Sequence, residues 1–129
     1  MKKELIICIV IIILVILGDI ITYNYTKNSV NEAANELNQL REYMLAQEQD
    51  TEKIKQSIED ISNKWNERHQ KLAYYIEHDE LEKVETDLSA LKGYIEVEEY
   101  KEAVAELDRT NYVLQHIKNK TVFNLQNIF

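Results

Sequence analysis

The spacing of apolar residues changes character once along the chain, shortly after residue 20. From Leu5 to Leu17 every residue is apolar, and beyond Gly18 and Asp19 the run resumes with Ile20 and Ile21 before closing on Thr22, Tyr23 and Tyr25. At about 1.5 Å per helical residue, Leu5 to Tyr23 covers roughly 28 Å, close to the thickness of a hydrocarbon core. Past that point apolar residues recur at helical intervals instead. Val30, Ala34, Leu37, Leu40 and Met44 form one stripe, and the polar stretch "QEQDTEK" from Gln47 to Lys53 interrupts it. Ile54, Ile58, Ile61, Trp65, Leu72 and Ile76 form a second, with polar His69 one position beyond the seam site Arg68. Leu81, Val84, Leu88, Leu91 and Ile95 make a third. The fourth is Tyr100, Val104, Leu107, Asn111, Leu114 and Ile117, continuing toward Thr121, Leu125 and Ile128.

Stripes with alternating steps of three and four pack knobs into holes at shallow angles, and single helices of this length are marginal in water. The pattern predicts an all-α chain: a membrane anchor over 1–25, then a small antiparallel bundle of three to four helices over 26–129. The helices are expected at about 28–47, 51–77, 79–95 and 98–125, with short connections that make successive helices antiparallel neighbours.

The stripes also contain a repeat. "YIEHDELEKVETDL" from Tyr75 and "YIEVEEYKEAVAEL" from Tyr94 match at an offset of 19 residues, pairing Tyr75 with Tyr94, Ile76 with Ile95, Glu77 with Glu96 and Leu88 with Leu107. Each copy carries an apolar helix end followed by acids, which predicts a repeated helix joint. At the first joint Asp79 is expected as N-cap, with Glu82 closing a capping box and His78 ending the preceding helix. At the second, Gly93 is expected to end the third helix as a left-handed residue, with Glu98 a weak cap.

Composition supports the helical class. The chain has no proline and two glycines, Gly18 and Gly93, so it lacks the breakers of turn-rich folds. The formal charge is −8, which repels phosphate backbones and argues against nucleic acid as a partner. Cys8, the single cysteine, lies within the apolar run, so the bundle has no disulfide and no thiol nucleophile. Lys2 and Lys3 flank one end of that run against Lys27 near the other, which favours a cytoplasmic N-terminus and an extracytoplasmic bundle. No small-x-small cleavage pattern follows the run, so it is expected to remain as a single-pass anchor, with membrane lipid as its partner through residues 5–23.

Candidate chemistry is sparse. His78 with Asp79 and Glu82 is the best metal candidate, but it lacks the paired histidines of H-E-x-x-H and its twin in the repeat is Val97, so helix-end structure is the expected role. His69 and His116 stand alone and are expected at the surface or the edge of the core. Trp65 is expected as a core anchor. "NYT" at Asn24 and "NKT" at Asn119 match a short glycosylation sequon that often occurs by chance. The tail "TVFNLQNIF" is too short to cross a membrane and is expected to fold onto the bundle. No phosphate loop, nucleophile elbow or zinc pattern occurs, so no catalytic, cofactor-binding or metal-binding residue is assigned, no cofactor is expected, and the protein is expected not to be an enzyme.

Trp65, "YIEHDEL", the "YIEVEEYKEAVAEL" hairpin and the closing Asn127-Ile128-Phe129 together resemble an uncharacterised family of short, membrane-anchored helical proteins from Gram-positive, often spore-forming, bacteria. The resemblance implies one N-terminal anchor, a helical domain, and Trp65, His78 and Asn127 as positions of interest without a known role. The functional expectation is an interaction or scaffolding module of the cell envelope with a protein partner. A ligand- or ion-sensing bundle is the alternative.

Overall fold

A computed structural model describes the backbone of residues 1–128 and the side chains of residues 1–122. Four helices follow one another: α1 (Lys2–Leu45), α2 (Thr51–Leu72), α3 (His78–Glu96) and α4 (Tyr100–Ile128). Each is antiparallel to the next, and α4 returns beside α1, so the four form a ring in which the backbones of neighbouring helices approach closely around one shared core. The predicted stripes line its interior. Leu37, Leu40, Ile54, Ile58, Trp65, Leu72, Leu81, Leu91, Ile95, Leu107 and Leu114 are all buried there.

The apolar run and the first bundle helix are one element. The expected start of a bundle helix near residue 28 is corrected, because α1 runs unbroken through 44 residues, about 66 Å at helical rise. The helix is uninterrupted through its polar stretch, where threonine hydroxyls bond back onto helix carbonyls. Thr22 Oγ1 donates to the Asp19 carbonyl at 3.0 Å and Thr26 Oγ1 to the Thr22 carbonyl at 2.8 Å. Leu5 to Leu17 project beyond the bundle with all their large apolar side chains except Ile16 exposed, Asp19 and Thr22 reach the bundle's near end, and core packing begins at Tyr25 and Thr26.

The α4 stripe holds at Leu107, Leu114 and Ile117 and is corrected by one residue at Val104 and Asn111. Ala103, Leu107, Thr110, Leu114 and Ile117 face the core, while Tyr100, Val104 and Asn111 flank it. Thr110 is buried without cost to its hydroxyl, which donates to the Glu106 carbonyl at 2.9 Å. The proposed continuation through Leu125 and Ile128, and the side chains of Asn127 and Phe129, lie outside the described side chains.

Neither joint of the sequence repeat has the expected geometry. α2 ends at Leu72 rather than near 77, because Tyr74 and Tyr75 bond three residues back, to Lys71 and Leu72, and tighten the last turn. α3 then starts at His78 with Glu77 as N-cap, and no side chain caps it. The Glu77 carboxylate bonds Lys120 instead, at 3.3 Å. Asp79 is therefore neither N-cap nor part of a capping box. His78 opens a helix rather than closing one, so a charged imidazole there gains nothing from the dipole.

At the second joint Gly93 stays helical and α3 continues to Glu96. The left-handed residue is Glu98, at φ 59°. The Glu99 amide donates to the Tyr94 carbonyl and the Glu98 amide to the Ile95 carbonyl, which is the Schellman closure with a glutamate at C′. The repeat is thus one of sequence and core register, and its two breaks fall at different places.

Candidate functional site

The stretch "YIEHDEL" lies at the end of the bundle from which the apolar part of α1 departs. Tyr75 is its link to α1. Its hydroxyl proton lies within reach of two acceptors, Thr26 Oγ1 at 2.8 Å and the Thr22 carbonyl at 3.2 Å, 49 and 53 residues back in sequence. Partial burial raises the phenol above its ordinary pKa, opposed by the bond to Thr26, so it remains a donor through the neutral range. Beside it a cavity of about 220 Å³ is lined by residues of α1, the joint and α4, among them Asp19, Glu80 and Thr121. Lys120 closes one side, bonded to Glu80 at 3.0 Å as well as to Glu77, and those two carboxylates hold its ammonium above the usual lysine range.

The outer side of the joint gathers imidazoles and carboxylates. His69, near the end of α2, has Nδ1 at 2.5 Å from Glu85 Oε1 on α3. His78 Nε2 stands 3.7 Å from Glu82 Oε1 one turn along α3. The two imidazole rings meet edge to face, with centroids 6.5 Å apart. His69 is thus paired and partly buried rather than alone, and it was the α2–α3 contact that sequence spacing could not supply. His116 stays exposed, 4.0 Å from Glu80. Asp79 takes no part in these contacts and lies on the rim of a shallow groove with His116.

Trp65 occupies the core as expected, and its indole Nε1 has no hydrogen-bond partner among the described residues. Three polar positions were not foreseen. Arg68 holds Glu32 and Glu36 of α1 at 2.8 and 3.3 Å from a largely buried guanidinium. Asp87 on α3 and Glu106 on α4 are buried, each with one oxygen that no hydrogen bond satisfies among the described residues. They are equivalent in the 19-residue repeat, which was the available signal.

The arrangement can hold a small polar group in the cavity or a cation at the imidazole face. Residues 20–128 match the model of a family described as a domain of unknown function, DUF4363. The chain belongs to this family. The matched residues take in the bundle and the base of α1, and most of the apolar run precedes them. No curated protein and no solved structure matches the chain.

Proposed function

We propose that the protein is a single-pass membrane protein of the bacterial cell envelope whose bundle is an extracytoplasmic interaction module. The anchor rests on the apolar run of α1, the one helix among the described residues long and apolar enough to cross a membrane. The orientation rests on Lys2 and Lys3 against Lys27.

The observation that carries the interaction reading is the segregation of charge along the bundle. Residues 37–61 and 87–110 make up the half farthest from the apolar run, and they hold thirteen Asp and Glu against six Lys and Arg. The nearer half, residues 24–36, 62–86 and 111–122, holds eight against seven. Almost all of the net charge therefore stands away from the membrane, with exposed Leu45 and Val97 set among the acids at the far tip. Such a surface attracts a cationic protein segment and speeds its encounter. The near-neutral half can approach anionic headgroups without repulsion.

Photo-crosslinker placed at Val97 in the full-length protein tests this in intact cells. One discrete adduct from position 97, weakened by high salt and absent from a control at Tyr74 near the membrane, is expected. Adducts at Tyr74 and none at Val97 would refute the assignment of the partner surface. A second reading, a ligand-sensing bundle, draws support from the cavity beside Tyr75, because a ligand there would touch α1, the joint and α4 together.

A further inference from the structure

We propose that His69, His78 and Glu82 form a binding site for a divalent transition-metal ion that ties α2 to α3 at the first joint. The carboxylate of Glu85 on α3 stands beside Nδ1 of His69 on α2, close enough to pair with it though the present rotamers do not align a hydrogen bond. A small turn of either side chain would let Nδ1–H donate to that carboxylate, and in this tautomer the Nε2 lone pair is free to ligate. A carboxylate behind a histidine is the usual support of a metal-binding imidazole, fixing its tautomer and increasing its basicity.

His78 and Glu82 supply donors from the other helix. Being four residues apart on α3, they share one face, and both are mostly exposed, at 72% and 59% of the side chain, so each turns about its side-chain torsions with little resistance. Two imidazoles on one tetrahedral ion at about 2.0–2.1 Å have ring centres about 5 Å apart, by simple geometry from the bond lengths. The observed 6.5 Å between His69 and His78 needs a shift of roughly 1–1.5 Å, within reach of those side chains. Among the described residues no three such groups already stand at ligating distance. The ion therefore draws the set together, and the free energy of binding is released as closure of the joint.

Two nitrogens and one carboxylate oxygen, with a fourth position for water, suit zinc, copper or nickel better than magnesium or calcium. The two joints differ in what secures them. The second is closed by its own backbone at Glu98 and Glu99, and it has Val97 where the first has His78. The first has no side-chain cap on α3, so a clip between the helices there has a structural use.

The test is zinc binding by the full-length protein in detergent micelles, read by competition with a chromophoric chelator, with circular dichroism as the check on folding. Wild type is expected to take up one ion per chain and to melt at a lower temperature when EDTA is added. His78→Val, which copies the second joint at an exposed position, is expected to keep its helical signal and lose at least tenfold in affinity, with its melting no longer sensitive to EDTA. Glu85→Gln is expected to weaken binding by about 10–100-fold while leaving the ligands in place. His116→Val is expected to bind as wild type does. Equal binding by wild type and His78→Val, or no saturable uptake by wild type, would overturn the proposal.

Discussion

Tyr75 contributes through its hydroxyl more than through its ring, which is partly exposed. Tyr75→Phe removes both links to α1 and should cost about 1 kcal/mol or slightly more, the usual net worth of one or two hydrogen bonds. Chemical denaturation in micelles measures it. Two aspartates give a sharper contrast. Asp50 caps α2, its carboxylate accepting from the Lys53 amide at 3.2 Å, whereas Asp79 has only its charge near the start of α3. Asp50→Ala should therefore cost about 0.5–2 kcal/mol, and Asp79→Ala no more than about 0.3–1 kcal/mol. Equal losses would mean that α3 is capped by Asp79 after all. In the core, Leu88→Ala and Leu107→Ala should each cost roughly 2–5 kcal/mol, since both side chains are buried. Asp87→Asn should cost little or stabilise, because it removes a buried charge with no partner among the described residues. A loss of several kcal/mol there would show a partner for that carboxylate.

At the scale of the elements, the turns follow backbone geometry that composition only partly announces. Gly93 attracts the eye as a helix terminator, yet it is an ordinary helical residue with open space where a Cβ would stand. Glu98 carries the left-handed conformation instead, which costs a residue with a Cβ about 1–2 kcal/mol. Gly93→Ala should stabilise by about 0.5–1 kcal/mol, and Glu98→Gly should also stabilise, by about 1 kcal/mol. Thermal melts of the two single variants and the double check this. Destabilisation by Gly93→Ala would return the end of α3 to Gly93.

The same residues explain how far the pattern could be followed in sequence. The third stripe is right at every position because its core residues are all large and apolar, from Leu81 to Ile95. The fourth is right at Leu107, Leu114 and Ile117 and off by one at two positions between, because the inner Ala103 and Thr110 are small or polar while the flanking Val104 is apolar, and hydrophobicity alone favours the wrong one. The helix joints were legible as regions and not as residues. Glu77 could have capped α3, but Lys120 claims its carboxylate from 43 positions away, a competition invisible to local rules. The pairing of His69 with Glu85, and its approach to His78, is tertiary in the same way.

On the scale of the whole molecule, α1 is both the apolar extension and a wall of the bundle, so no flexible linker separates the two. Movement at the base of α1 is thereby coupled to Tyr75 and to the cavity beside it, and a binding event at the bundle would be felt by the apolar segment without an intervening hinge. The long axis also orders the charge, with the near-neutral end beside the apolar run and the acidic end far from it. Thiol labelling in intact cells addresses the proposed arrangement directly. Cys8 is replaced by serine, a single cysteine is placed at the exposed Glu98 or at Lys3, and a membrane-impermeant maleimide is applied before and after lysis. Labelling of position 98 in intact cells, with position 3 labelled only after lysis and both forms retained in the membrane fraction, is the expected result. Protection of position 98 until the cells are broken, or release of the bundle from the membrane fraction, would contradict an anchored, outward-facing bundle.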